Sequence, residues 1–285
     1  MKNLFAIIGG DQRQRHLAHL LRDDGHTVLT ACLGGGDDVP LKEAAGAACV
    51  ILPLPVSRDG INLHTPLWEG RKAPLTALYP LLPGGDQVIL GGNVGAALRE
   101  TFAMQGLTLL DYYDREEVQI ANAVPTAEGA IAAAMSALNR TLHRTRCLII
   151  GYGRIGRVLS HRLWGLGAQV TATARRLSDL AWIDAYGYAA LRTDALSGHL
   201  SGFDLIFNTV PVPLLRRDLL TQLKPGCLIV DLSSAPGGVE VKAAEELSIP
   251  VLQAQGLPGR TAPATAAAAV RGAVYHILEE RGEPI

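Results

Sequence analysis

The stretch CLIIGYGRIGRVLSHRLWGLGAQVTATARR, Cys147 to Arg176, decides the fold. A short apolar run, CLII, is followed at once by Gly151, Gly153 and Gly156, with Tyr152, Arg154 and Ile155 between them. Ile155, Val158, Leu159 and Leu163 then recur at helical spacing, Gly165 and Gly167 close the helix, and AQVTAT supplies a second strand. In such a strand–turn–helix the first glycine permits the tight turn, the second lets backbone approach a pyrophosphate, and the third lets helix and strand pack closely. A glycine-rich structural turn is the plainer alternative. The context favours a bound dinucleotide, held by residues 151 to 156.

The end of the second strand bears on which dinucleotide. A site for NAD places an acid there, about 20 residues beyond the turn, to accept from the ribose 2′-hydroxyl. Here Ala174 is followed by Arg175 and Arg176. Without the carboxylate a 2′-phosphate meets no repulsion, and two guanidiniums offer forked, charge-assisted bonds. This predicts NADP, against the alternative that the arginines are solvated loop residues. A nicotinamide dinucleotide in turn predicts an oxidoreductase.

The same grammar occurs once more, from Leu4 to Leu33. Further strands are expected at Cys49 to Pro53, Gln87 to Leu90, Leu107 to Asp111, Leu205 to Thr209, Cys227 to Leu232 and Pro250 to Gln253. Strands alternating with helices give parallel sheets. The expected fold is therefore α/β: two Rossmann-like, doubly wound parallel-sheet domains. The first spans 1–123 and serves substrate or partner; the second, 145–263, binds the dinucleotide. PTAEGAIAAAMSALNRTLHRT predicts a connecting helix over 124–144, with Pro125 stopping the preceding chain, Thr126 as N-cap and Glu128 in the first turn. The Ala-rich helix at 264–285 is expected to cross back and complete the first domain.

Composition bounds the partners. The chain has 285 residues, 48% of them hydrophobic, and 26 basic against 27 acidic side chains. That length suits two domains, and that balance gives no field for nucleic acid or anionic lipid. Cys32, Cys49, Cys147 and Cys227 lack disulfide or zinc spacing and read as reduced core residues. His16, His19 and His26 have no ligand spacing, so no metal is expected. The N-terminal apolar run is too short for a signal peptide and no stretch reaches a membrane span, which predicts a cytoplasmic protein with no membrane partner.

Candidate site residues sit at strand ends. IIGGDQRQ has two glycines, then Asp11, whose carboxylate would compete with a phosphate for the same amides, so this half is expected to bind no dinucleotide. Asp11 is a substrate contact or an ordinary N-cap; Gln14 and Arg13 are substrate candidates, Arg13 as a carboxylate clamp counted among the catalytic residues. Asn208, Thr209, Val210 and Pro211 follow one strand; Ser233, Ser234 and Gly237 follow another. Thr209, Val210 and Pro211 are candidates for the coenzyme, Ser234 and Gly237 for substrate, and Asn208 and Ser233 for the catalytic rim beside the nicotinamide. Plain turn-making is the alternative. Asn122, Thr126 and Glu128 are cleft-lining candidates, Glu128 with a catalytic role, against simple helix capping. A dicarboxylate lying between the domains, gripped by Arg13, is the expected arrangement.

IIGGDQRQ, NAVPTAEGAI, GYGRIGRVL, DLIFNTVP, VDLSSAPGGV and APATA after QGLPGR, in this order across nearly the whole chain, resemble the family of dipicolinate synthase A subunits, the dehydrogenase-like subunits of spore-forming bacteria. The resemblance implies NADP-dependent oxidation of a dihydrodipicolinate, derived from the lysine pathway, to dipicolinate during sporulation. It also implies the flavoprotein-like B subunit of dipicolinate synthase as partner; a homo-oligomer stays open. More distantly the plan is similar to 2-hydroxyacid and alanine dehydrogenases. The former use a late histidine, and Gln253 to Ala266 has none. A non-catalytic NADP-binding role therefore stays open beside the catalytic reading.

Overall fold

The computed structural model describes residues 4–234 and 236–283. It divides into two compact units, Met1–Asn122 with Pro258–Ile285, and Ala123–Leu257.

The first unit holds β1 (Leu4–Ile8), β2 (Thr27–Ala31), β3 (Cys49–Ile51), β4 (Val88–Gly91) and β5 (Leu109–Asp111). All neighbours pair in parallel, in the order β2-β1-β3-β4-β5. Alternate residues of β1 enter different cores: Ala6 and Ile8 on one face, Phe5 and Ile7 on the other. A strand buried on both faces reads as a continuous apolar run, which is why LFAII carries no polar residue.

The second unit holds β6 (Arg146–Ile150), β7 (Gln169–Ala174), β8 (Ala189–Arg192), β9 (Leu205–Asn208), β10 (Leu228–Asp231) and β11 (Val251–Gln253). Their order, β11-β10-β9-β6-β7-β8, is parallel throughout. It is the dinucleotide-fold order 3-2-1-4-5-6 read from the other edge. β8 escapes sequence reading because AALR is a largely exposed edge strand with no apolar run.

The C-terminal helix, Pro263–Glu280, packs on the first helix, Gln12–Asp23, within the first unit. Ala267, Val270, Ala273, Val274, Ile277 and Leu278 form its buried stripe against Leu17, Ala18 and Leu21. Tyr275 donates to Asp24 at 2.6 Å, Arg271 pairs with the same carboxylate at 3.1 Å, and Arg115 pairs with Glu280.

The connecting helix corrects the sequence expectation. It runs from Glu116 to Ala137 with Pro125 inside it. Proline removes one amide and crowds the preceding turn, at a cost of about 3 kcal/mol. The buried stripe Ala123, Ala127, Ala130, Ile131 and Ala134 continues through that point, and its packing outweighs the lost bond. Thr126 is thus a buried mid-helix residue rather than an N-cap, and the acids of the first turn are Glu116 and Glu117, not Glu128.

Leu21 is fully buried between the first and C-terminal helices. Leu21→Ala is expected to destabilise the first unit by about 2–5 kcal/mol. Urea unfolding measures this, as a lower midpoint at unchanged slope.

Candidate functional site

β6 lies where the second sheet's strand order reverses, with β7 on one side and β9 on the other. Ligands of open α/β sheets bind outside the strand ends at such a point. Gly151 takes φ 100° there, and a side chain on it would press Thr209 Oγ1 at 2.5 Å. Its amide donates to Thr173 Oγ1 at 3.1 Å. A Cβ on Gly156 would sit 2.1 Å from the Gly151 carbonyl oxygen, so only glycine admits this approach of helix to turn. At Gly153 a Cβ would meet nothing within 4 Å.

Gly153 also begins the helix Arg154–Gly165, and no side chain caps it. The first amides of a helix have no intrahelical acceptor and carry the positive end of its dipole. An uncapped N-terminus beside open space fits a pyrophosphate. The Tyr152 ring is buried in the core below the turn, with Arg157 over it at 5.4 Å from the ring centroid. Only the backbone of Tyr152 is therefore available to a coenzyme. Ile155 likewise packs its side chain on that core.

Beyond β7, Ala174 is buried while Arg175 and Arg176 are exposed. Among the described residues neither guanidinium has a hydrogen-bond or ion-pair partner. Arg157, by contrast, is held by Asp179 at 2.8 Å.

The ends of β9 and β10 are organised by a residue that the strand-end reading missed, Asp231. Its buried Oδ1 accepts from Asn208 Nδ2 at 2.8 Å, from the Ser233 amide at 3.1 Å and from Ser233 Oγ at 2.6 Å. Its Oδ2 accepts from the Gly238 amide at 3.1 Å. Asn208 Nδ2 also reaches the Val210 carbonyl, and Thr209 Oγ1 donates to Ile150 O at 2.9 Å. This revises the catalytic assignment of Asn208 and Ser233: both side chains are buried and bonded inward, so they shape the rim. Pro211 and Ser234 are exposed on it, and Gly237 makes a turn at φ 95°. An acid closing the apolar strand LIVD was the available signal.

In the first unit the equivalent turn is closed by the chain itself. Asp11 caps the helix through the Arg13 amide at 3.0 Å, and Gln14 Oε1 accepts from the Asp11 amide at 3.0 Å. Gly10 donates to His64 O at 2.8 Å. Arg13 binds Asp11 through Nε at 2.9 Å and Nη2 at 2.8 Å, and Nη2 also meets the Leu54 carbonyl. Gly259 lies against the pair: a Cβ there would come within 2.5 Å of Asp11 Oδ2. Asp11 and Gln14 are thus capping residues, and Arg13, only 8% exposed, is a tie within the turn. Burial pushes the Asp11 carboxyl up, but the bonds and charge of Arg13 outweigh it and hold it below the ordinary carboxylate value. The pair therefore stabilises the fold at neutral pH and loses that contribution as pH falls through the carboxyl's lowered ionisation.

Glu128 is exposed and pairs at 3.4 Å with Arg162, in the last turn of the helix that begins at Gly153. That places it at the far end of the helix from the glycine turn, against its assigned catalytic role. Asn122 bonds Tyr113 Oη at 3.2 Å. The four cysteines are unpaired and buried, and burial raises the thiols, Cys32 to about 11 and Cys49, Cys147 and Cys227 to about 12. Among the described residues no cluster could hold a metal ion, and no helix is long and apolar enough to cross a membrane.

Residues 4–113 match the family described as the N-terminal domain of the dipicolinate synthase A subunit. The curated dipicolinate synthase A subunit of Bacillus subtilis (strain 168) is 30% identical over 289 residues, covering 96% of this chain and 95% of the relative. The chain belongs to the dipicolinate synthase A subunit family. Residues 119–247 match the NAD binding domain of the D-isomer specific 2-hydroxyacid dehydrogenases, which agrees with the open turn at Gly151–Gly156. A crystal structure of dipicolinate synthase, A chain, from Bacillus subtilis superposes with TM-score 0.86 at 29% identity, over 100% of this chain and 98% of that one. The dipicolinate synthase A subunit from Bacillus halodurans gives TM-score 0.85 at 24% identity, over 98% of each chain, a likeness of fold. This family member is an oxidoreductase of dehydrogenase type, with a domain for a nicotinamide dinucleotide.

Two outcomes test the site. Asp231→Asn puts a donor where four donors converge; each buried group left unpaired costs about 1–3 kcal/mol. Urea unfolding should show that loss, and dinucleotide affinity, read by nicotinamide fluorescence, should fall at least fivefold with the helical signal intact. The raised, buried thiols should resist a disulfide reagent at mildly alkaline pH and all react once the chain is unfolded in denaturant.

Proposed function

We propose that this protein oxidises a dihydropyridine dicarboxylate, dihydrodipicolinate, to dipicolinate with NADP as oxidant. The carrying observation is 30% identity, over 96% of the chain, with a curated dipicolinate synthase A subunit. The bound coenzyme supplies a hydride acceptor. The backbone of Gly151–Gly156 binds its pyrophosphate, the loops beginning at Thr209 and Ser233 receive the nicotinamide half, and Asp231 keeps those loops in place. Forming an aromatic ring supplies driving force, so the protein's work is positioning.

NADP rather than NAD is favoured by Ala174 followed by two exposed, unpartnered guanidiniums. The dicarboxylate is drawn to the edge of the first sheet, where Arg58 and His64 stand near the Asp11–Arg13 pair. There Arg13 acts by fixing the turn. In this reading the flavoprotein-like B subunit of dipicolinate synthase completes the enzyme, as the lettered name of the relative suggests. Cytoplasmic placement in a spore-forming cell belongs to it as well, in keeping with four unpaired thiols.

The test is the rise of the reduced-nicotinamide absorbance band when dihydrodipicolinate and NADP are given to the purified chain, alone and with its partner. No rise in either case overturns the reading. A charge-assisted bond is worth roughly 1.5–3 kcal/mol, less when exposed. The double variant Arg175→Ala, Arg176→Ala should therefore bind NADP at least tenfold more weakly, with NAD binding little changed, by titration calorimetry. Equal losses for both coenzymes would remove the basis for NADP.

A further inference from the structure

The second unit covers its sheet with helices, and a helix of this kind turns an apolar stripe to the strands and a polar face to water. The helix Arg154–Gly165 follows this on its inner side, where Leu159 and Leu163 are fully buried. Its outer side does not. Of the ten large apolar side chains exposed among the described residues, five lie in this region: Met135, Trp164, Leu166, Trp182 and Tyr186, each between 46% and 57% exposed.

These five form one band. Between the connecting helix and the helix Arg154–Gly165 runs an open groove of about 410 Å³, lined by Ile131, Ala132 and Met135 of the first and by Gly165 and Leu166 at the end of the second. Trp164, next to Gly165, carries the band across that helix. Its ring meets Tyr188 edge-on at 5.5 Å between centroids, Tyr188 stacks on Tyr186 at 6.1 Å, and Tyr186 stacks on Trp182 at 5.6 Å. Trp182 and Tyr186 stand at the end of the helix Leu177–Ala185. The whole band belongs to the second unit and lies at the C-terminal ends of three helices, so the glycine turn at Gly151–Gly156 has no part in it.

We propose that this band is the contact through which two copies of the chain pair about a twofold axis. At about 200 Å² for each large side chain, the exposed halves of the five offer roughly 500 Å² of apolar surface. A stable pair needs about 800 Å² from each copy, about 65% of it apolar in homodimers, which is again roughly 500 Å². Trp, Tyr, Met and Arg are the residues that interface centres favour, and no lysine lines the groove. A twofold contact must also be complementary to itself. Here the exposed Met135 and Leu166 stand beside the groove that would receive their counterparts, and the space over Gly165 is open, since a Cβ there would meet nothing within 4 Å. The groove carries both signs of charge, Glu128 and Arg162 at 3.4 Å, so a copy turned by the axis sets each sign against the other. A net charge of −1 adds little repulsion between copies.

Sedimentation velocity on the full chain is the test. Interfaces of this size bind at micromolar strength or tighter, so the parent at about 50 µM should sediment as a dimer. Met135→Arg with Leu166→Asp puts charge at the centre of the contact and should raise the dimer dissociation constant at least a hundredfold, because central residues carry most of the binding. Both side chains are half exposed, so helical circular dichroism and dinucleotide affinity should match the parent's. Trp182→Ser with Tyr186→Ser, at the other end of the band, should weaken the dimer at least tenfold, and keeps the test decisive if the first variant folds poorly. Trp164 and Trp182 are two of the three tryptophans. Diluting the parent through its dissociation should therefore shift the emission to longer wavelength, and Met135→Arg with Leu166→Asp should show the shifted spectrum at every concentration. A parent that stays monomeric at about 50 µM overturns the proposal, even if a different protein docks on this face. A dimer that both variants leave intact assigns pairing to another face and overturns it too, as does emission that dissociation leaves unchanged.

Discussion

A distance of 2.1 Å, between the Gly151 carbonyl oxygen and the place a Cβ on Gly156 would occupy, constrains everything at the open end of the second sheet. Because no side chain stands there, the helix Arg154–Gly165 begins directly against the end of β6. Its N-terminal amides and dipole therefore face the point where the strand order reverses. β9 closes the other flank, with Thr209 bonded to Ile150 O through both amide and hydroxyl at 2.9 Å. A larger residue at position 156 would push the helix outward and unmake the anion site and the packing of Leu159 and Leu163 together.

The two halves of the chain use one grammar and reach opposite electrostatic ends. In the first, Asp11 supplies the helix amides with a carboxylate from the chain itself, Gln14 completes the reciprocal bond, and Gly10 is taken by His64 O. In the second, the residue at that position is Gly153, which has no side chain and makes no cap bond. One turn is a finished structural joint and the other is a receptor. The difference is a single carboxylate at the residue before the helix.

Asp231 plays for the strand ends the part that Gly156 plays for the turn. A carboxylate buried without a cation persists only when donors surround it, and here two amides, one hydroxyl and one carboxamide do so. The bonds join the loop after β9 to the loop after β10 and fix the backbone at both strand ends. Asn208 and Ser233 hold the rim from beneath through their polar atoms.

By itself the sequence determined both parallel sheets, the dinucleotide turn, the return of the C-terminal helix and the missing acid at Ala174. These are local or periodic signals: apolar runs that must be buried on two faces, glycines where a helix touches a strand, and an apolar stripe at helical spacing. Tertiary structure decided what no local signal carries. Pro125 lies inside a helix because the alanine stripe on both sides of it is buried. Arg13 is tied down because Leu54, forty-one residues away, offers its carbonyl. Glu128 belongs to Arg162 at the far end of a helix, and His64 reaches the first turn through a loop fixed by Asp59 and Val56. Each depends on which distant groups share a small volume, so hydrogen-bond supply and burial at that place, rather than residue type, set the role.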